Sequence, residues 1–176
     1  MNARSDEQVF KPELVSRRGE LISWSSAVLV NGTWILLLFL GQSLSFWLLI
    51  LGIPLLIVAF GISLGNWMDR HTFLKIDSQE IAFSNGLRNE QLDWKEVQEV
   101  RVLPAQWGKK VQVFGKNSYF GFHTLGEVEA YGRILGRTGF VEGEHVLEQI
   151  LERAELREIK QIDIGNQQEG YYYSRE

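Results

Sequence analysis

The chain has 176 residues, 18 of them basic and 22 acidic, which gives a formal net charge of −4. Nucleic-acid binding usually requires a clustered excess of lysine and arginine, so this balance argues against DNA or RNA as a main partner. The sequence contains no cysteine. This excludes a disulfide framework, a thiolate metal site and a cysteine nucleophile.

Residues 1–20 carry both signs of charge and are interpreted as a cytoplasmic segment. The next stretch, from Leu21 to Met68, contains no charged residue and no histidine. About 20 apolar residues in helical form cross a membrane, so this stretch is long enough to cross twice. Polar residues at 41–45 provide a turn. The pattern therefore predicts a transmembrane hairpin over 21–68, with spans at about 21–40 and 46–64.

Basic residues flank the hairpin, with Arg17 and Arg18 before the first span and Arg70 and Lys75 after the second. The connecting turn has no charge. Because lysine and arginine concentrate on the cytoplasmic side of a membrane, both termini are predicted to face the cytoplasm.

The second span contains the sequence Gly-Ile-Ser-Leu-Gly, from Gly61 to Gly65, which fits two motifs. As G-x-x-x-G, it predicts close packing of these glycines against the first span or against a partner helix. As G-x-S-x-G, it would make Ser63 a nucleophile, which requires a strand-to-helix turn and triad partners that the sequence does not show. Asn31 in the first span is costly in lipid and is expected to face protein or water. It is predicted to form an interhelical hydrogen bond, and the alternative is a contact with a pigment or a substrate.

After Asp69 the apolar residues alternate with polar ones, as is typical of half-buried β-strands. Asn85 and Gly86 predict a tight hairpin turn. Six short strands joined by turns predict an antiparallel barrel or sandwich. The predicted strands are 72–77, 80–84, 88–94, 97–103, 110–114 and 119–123.

Two helices are predicted to follow the strands and to complete a domain over 69–160. Thr124 and Glu127 fit a capping box, which predicts a helix that ends near Gly139. An apolar stripe from Val146 to Ala154 predicts a second helix over about 144–160, which covers one end of the barrel. Residues 161–176 are polar and show no periodicity, and they predict a disordered tail.

The candidate contact residues lie in predicted turns and in the tail. Trp107 lies at a loop tip, and tryptophan is enriched at binding hot spots and membrane interfaces. Three lysines are predicted on adjacent hairpin turns, where they could contact a partner or anionic headgroups. The candidates for partner or membrane contact are Trp107, Lys109, Lys110, Lys116, Tyr171, Tyr172 and Tyr173.

The sequence offers few groups for catalysis. His71, His123 and His145 are not spaced as metal ligands and lie beside no recognisable acid–base arrangement. No phosphate-binding loop is present. We therefore predict that the protein is not an enzyme and has no catalytic, metal-binding or cofactor-binding residue. A membrane enzyme that uses Ser63 or a histidine is the rival hypothesis.

Two spans, an antiparallel domain and a capping helix resemble the two-span bacterial membrane proteins with a PH-like domain. Within that layout the chain is similar to the two-span photosystem I assembly factor of cyanobacteria and chloroplasts. That similarity lies in Arg17-Arg18 before the first span and in Leu92-Asp-Trp-Lys-Glu-Val-Gln-Glu-Val-Arg-Val102. The chain departs from the factor at residues 85–88, where the strand connection is shorter, and in its C-terminal strand and helix.

This resemblance implies an α+β membrane protein, with a transmembrane hairpin followed by a PH-like antiparallel barrel or sandwich that helices cap. It implies a non-catalytic role in assembling a multisubunit membrane complex, photosynthetic or respiratory, or as its accessory subunit. The expected partners are subunits of that complex and the lipid bilayer. The expected location is a bacterial inner or thylakoid membrane. The alternative is a PH-like module that senses lipid headgroups.

Overall fold

The computed structural model describes residues 7–41, 46–130, 132–165 and 168–175. The chain divides into two units. One unit is Ser16–Met68, and the other combines Met1–Val15 with Asp69–Glu176. The N-terminal segment therefore belongs to the same unit as the strands that follow the apolar stretch.

The first unit contains two helices, α1 (Arg18–Phe39) and α2 (Phe46–His71), where α2 extends three residues beyond the unit. Both helices are long and apolar enough to cross a membrane, by length and composition. The predicted spans at 21–40 and 46–64 correspond to them. Most of their apolar side chains are exposed within the unit.

The second unit is a set of antiparallel strands with one helix in its described part. In chain order the strands are β1 (Gln8–Phe10), β2 (Pro12–Glu13), β3 (Thr72–Ile76), β4 (Glu80–Asn85), β5 (Asn89–Asp93), β6 (Val97–Pro104), β7 (Lys109–Gly115), β8 (Tyr119–His123), β9 (Gly126–Ala130), β10 (Arg133–Phe140), β11 (Arg157–Gly165) and β12 (Gln168–Ser174). The helix is α3 (Gly143–Arg153), between β10 and β11. The chain is therefore an α+β protein with antiparallel sheets.

Strands β3 to β8 occur where the alternating pattern predicts them. Gly86 has a φ of 80°, and the Asn85 N–H donates to the Arg88 carbonyl oxygen at 3.1 Å, which confirms the predicted turn. The sheets have the orders β1-β3-β4-β5, β11-β12-β6-β7-β8 and β2-β10-β9. Strand β1 lies in the segment interpreted as cytoplasmic and was not predicted. It pairs with β3, where Phe10 is opposite Leu74.

One hydrophobic core joins the first two sheets and α3. The rings of Phe83 on β4 and Phe120 on β8 stack with their centroids 5.4 Å apart. Helix α3 buries Val146, Leu147 and Ile150 in the same cluster. Full burial of a side chain of this kind contributes about 1.5–3 kcal/mol to folding.

The predicted helix from Thr124 to Gly139 is wrong, because this segment forms the β9–β10 hairpin. Thr124 does not cap a helix: it is buried, and its Oγ1 accepts a hydrogen bond from the Lys109 backbone N–H at 3.0 Å. The physical reason is the glycine content of the segment, since each glycine costs a helix about 1 kcal/mol relative to alanine. The glycines are Gly126, Gly132, Gly136 and Gly139.

The second predicted helix is present but ends at Arg153 rather than near residue 160. The Leu156 N–H donates to the Leu151 carbonyl oxygen at 3.0 Å, and the Glu155 N–H donates to that of Glu152 at 3.2 Å. This pair of bonds is a Schellman motif, which ends a helix with a left-handed residue. That residue is Glu155, whose φ is 54°.

The prediction of a disordered tail is also wrong. Strands β11 and β12 form an antiparallel hairpin, and β12 also pairs with β6. Tyr171 is opposite Val102 in this pairing and Tyr173 is opposite Val100. Three consecutive tyrosines conceal the alternation of a strand, because both faces carry the same residue type.

Candidate functional site

A polar contact joins the middle of α1 to the N-terminal part of α2. The Asn31 side-chain amide donates to the Gly52 carbonyl oxygen at 3.1 Å and to that of Ala27 at 2.8 Å. A Cβ at Gly52 would lie 2.5 Å from Asn31 Oδ1, so a side chain at this position would displace the Asn31 amide. The interhelical hydrogen bond predicted for Asn31 is present. The sequence analysis did not single out Gly52. Only its contact with Asn31 of the other helix distinguishes it from the other residues of α2.

Gly61 and Gly65 do not take part in that contact. A Cβ at either position would meet no atom within 4 Å outside its own helix backbone. The prediction that these glycines pack against the first span is therefore wrong. Their packing against a partner helix stays a prediction.

A second polar cluster joins the N-terminal turn of α1 to the C-terminal part of α2. The Ser63 hydroxyl donates to Glu20 Oε1 at 2.9 Å and accepts from Trp24 Nε1 at 2.7 Å. The Asn66 amide donates to Glu20 Oε2 at 2.9 Å. Ser63 lies within α2 and not at the strand-to-helix turn of a nucleophile elbow. The backbone N–H groups around it are occupied by the hydrogen bonds of the helix. The cluster is suited to holding the two helices in register.

Replacing Glu20 with alanine is expected to destabilise this helix pair by about 1–3 kcal/mol, because Ser63 and Asn66 lose a charged acceptor. Unfolding of the detergent-solubilised protein, followed by tryptophan fluorescence, measures the change. Glu13→Ala is the control, since Glu13 is an exposed glutamate on β2. Equal stability of the two variants would contradict the structural role of Glu20.

The three candidate lysines do not form one patch. Lys109 and Lys110 begin β7, whereas Lys116 follows its other end. At about 3.3 Å per residue these ends are roughly 20 Å apart, so the two successive hairpin turns on which the lysines were predicted lie at opposite ends of β7. Lys109 Nζ also lies 3.0 Å from Glu144 Oε1. Burial and then the charge of Lys110 lower the pKa of His123 on the neighbouring strand.

Trp107 lies in the loop between β6 and β7, and 38% of its surface is exposed. A Cβ at Gly126 would overlap the Trp107 backbone, so the start of β9 lies directly against this loop. The loop is thus held in place while the indole remains accessible. A contact role for Trp107 stays a prediction.

The tyrosines of β12 divide between two environments. Tyr171 and Tyr173 pack against the core, which gives them a structural role instead of a place in a free tail. Burial, with smaller contributions from Glu158 and Glu144, raises the pKa of Tyr173. The Tyr172 ring is 5.1 Å from the Arg101 guanidinium. This tyrosine alone of the three belongs to the outer face of the sheet.

The remaining titratable groups are dispersed. Within the ranges that the structure describes, no group of three or more histidine, aspartate or glutamate side chains could hold a metal ion. His145 Nδ1 lies 3.9 Å from Glu148 Oε2, and its Nε2 lies 2.9 Å from the Gln149 amide nitrogen. Both partners belong to the same helix, so these contacts link residues of α3 only.

Sequence reasoning missed a charged cleft of about 900 Å³ in the second unit. It is bordered by the β3–β4 turn, the β5–β6 turn, the C-terminal end of α3 and Arg175. Its charged lining residues are Asp93, Lys95, Glu152, Arg153, Glu155, Arg157 and Arg175. They come from three segments that are distant in sequence, so no local pattern indicates the cleft.

The wall of the cleft is held by hydrogen bonds to backbone carbonyl oxygens. Trp94 Nε1 and Arg153 Nη1 both donate to the Asp77 carbonyl, at 2.9 and 2.7 Å. The Arg175 guanidinium donates at 2.6–3.0 Å to three carbonyl oxygens, those of Trp94, Lys95 and Ala154. These bonds fasten the end of β12 to the β5–β6 turn and to the end of α3.

The described residues thus offer an outward glycine pair on α2, an accessible indole at Trp107 and a charged cleft. Comparison with models of protein families, with curated proteins and with solved structures finds no match to this chain. The contacts, burial and charges given above are the basis on which a function is proposed.

Proposed function

We propose that the protein is a non-catalytic, membrane-anchored factor that assists the assembly of a multisubunit membrane complex or serves as its accessory subunit. Helices α1 and α2 cross a bacterial inner or thylakoid membrane, with both termini in the cytoplasm. The second unit is a PH-like domain that contacts partner proteins. The complex is photosynthetic or respiratory, in keeping with the resemblance of the chain to two-span assembly factors.

The observation that carries this proposal is the outward position of Gly61 and Gly65. The contacts that hold the hairpin together use other residues, namely Asn31, Gly52 and the Glu20 cluster. In lipid, helices associate through close packing at small residues, since lipid and helix surfaces are equally apolar. An unused pair of glycines one helical turn apart supports the docking of a third helix from a partner protein.

The experiment is a native gel of membranes solubilised in mild detergent, with a tagged full-length chain and mass spectrometry of the proteins that migrate with it. Wild-type protein is expected in a large complex, and the variant Gly61→Ile/Gly65→Ile near monomer or dimer size. The matched control is Gly32→Ile, because Gly32 on α1 is equally open. Migration of the wild type alone would overturn the stable-subunit form, and normal migration of the double variant would overturn the role of the glycines.

The alternative, sensing of lipid headgroups, requires a basic surface near the membrane. Each lysine or arginine at an anionic surface contributes about 1 kcal/mol, so several must act together. Lys116 is separated from Lys109 and Lys110 by the length of β7, and Lys109 is paired with Glu144. This geometry favours a protein partner. A vesicle-binding test of the alternative requires β1 and β12, which a fragment of residues 69–165 would lack.

A further inference from the structure

The cleft beside α3 is lined by charges of both signs. Within the described part of the chain, no ion pair joins Lys95, Arg153 or Arg175 to the acidic lining residues Asp93, Glu152 and Glu155. Arg153 and Arg175 donate to neutral carbonyl oxygens, which leaves their positive charge uncompensated. Opposite charges that share a cleft without pairing are available to a ligand that carries both.

Glu155 provides an independent observation. It is exposed, it lines the cleft, and it occupies the left-handed position of the Schellman motif with a φ of 54°. Glycine is the residue that normally fills this position, because it adopts the left-handed conformation without a steric cost. Strained residues of this kind cluster at binding sites, where the side chain itself is needed. An exposed carboxylate with no packing role fits that pattern.

We infer that the cleft binds an extended segment of mixed charge from the partner protein, with basic side chains of the segment at Glu152 and Glu155 and acidic ones at Lys95 and Arg153. This inference rests on the proposed function, since it takes the partner to be a protein. The volume of about 900 Å³ lies within the usual range of ligand sites.

The net charge of the cleft lining favours a peptide over a membrane as the ligand. The lining carries four basic and three acidic side chains, so the cleft has a net charge close to neutral. An anionic bilayer is attracted by an excess of basic residues, and the three carboxylates oppose its approach. A segment with both signs of charge pairs with both sets of lining residues, and charge pairs that close at an interface also set its register.

The test uses the full-length chain in neutral phosphatidylcholine nanodiscs and short fluorescent peptides of four compositions: mixed-charge, all-acidic, all-basic and uncharged. Fluorescence anisotropy is expected to show the mixed-charge peptide binding at least about tenfold more tightly than the others. Glu155→Gly is expected to weaken that binding by about tenfold while it raises the melting temperature by about 2–5 °C, because the left-handed strain is relieved. A variant that is more stable yet binds less separates recognition from folding.

Two control variants complete the experiment. Glu155→Gln retains the shape of the side chain without its charge and is expected to lose binding as Glu155→Gly does. Glu148→Gln changes an exposed glutamate of α3 outside the cleft lining and is expected to bind normally.

Equal binding of all four peptides, or unchanged binding by both Glu155 variants, would overturn the inference. Binding to anionic phosphatidylglycerol vesicles that Lys95→Glu abolishes would assign the cleft to the membrane and overturn it as well. A wild-type chain that remains in a large complex on the native gel after such a result would leave the proposed function intact. A wild-type chain that migrates alone on the native gel would overturn the stable-subunit form of the proposed function.

Discussion

Deleting residues 166–176 is expected to unfold the second unit. Strand β12 lies between β11 and β6, so its loss removes the pairing partner of both. The deletion also removes Tyr171 and Tyr173 from the core and the Arg175 hydrogen bonds to three carbonyl oxygens. Tyr171 and Tyr173 are partly buried, so each contributes less than the about 1.5–3 kcal/mol of a fully buried large side chain, but the lost strand pairing and Arg175 bonds add to them, and the total stability of a domain is about 5–15 kcal/mol. The combined loss therefore approaches or exceeds the available stability.

Limited proteolysis of the full-length and shortened chains in membranes measures this effect. The shortened chain is expected to lose protection throughout residues 69–165, whereas a disordered tail could be removed without consequence. A pair of point variants gives a finer comparison: Tyr173→Ser, on the core face, is expected to destabilise far more than Tyr172→Ser, on the outer face. A protected shortened chain would show that β12 does not hold the sheet together.

Gly139→Ala is expected to lower the free energy of unfolding of the second unit by about 3–5 kcal/mol. Gly139 has a φ of 95°, which an L side chain rarely adopts. A Cβ there would overlap the Thr124 carbonyl oxygen and lie 2.9 Å from the His123 carbonyl oxygen. Both obstacles are backbone atoms, so they cannot move aside as a flexible side chain would. The backbone strain and the steric overlap therefore both lower the free energy of unfolding.

Gly136→Ala on the same strand is the matched control. A Cβ at Gly136 would meet no atom within 4 Å, and the residue has no left-handed conformation. Urea unfolding, monitored by tryptophan fluorescence, is expected to leave the midpoint of this variant close to wild type and to lower that of Gly139→Ala markedly. Similar midpoints for the two variants would contradict the close approach at Thr124.

Three glycines meet at Thr124, which explains why its segment is a hairpin and not a helix. A Cβ at Gly108, Gly139 or Gly143 would approach atoms of Thr124 to 3.1 Å or less. The threonine hydroxyl accepts a hydrogen bond from Lys109 at the start of β7. A threonine can cap a helix or be buried between strands, so Thr124 by itself does not distinguish the two structures. The three glycines that surround it do, and they come from three different segments of the chain.

The candidate sites were predictable to the extent that a residue contrasts with its own neighbours. Asn31 stands out in an apolar stretch, and its contact with α2 was anticipated. The role of Gly52 was not anticipated, because its close approach to the Asn31 amide depends on which residues of the two helices face each other. The outward direction of Gly61 and Gly65 follows from how the two helices are rotated, which a sequence motif does not specify.

The local pattern of apolar residues was enough to predict α1, α2 and the strands β3 to β8. An uninterrupted apolar stretch is sufficient for α1 and α2, and alternation is sufficient for β3 to β8, because both patterns reflect one face of one element. The tertiary structure alone decided that residues 157–174 form two strands, that β1 joins the first sheet, and that charges from three segments line one cleft. These features depend on contacts between residues distant in sequence, whose energy appears only once the chain has folded.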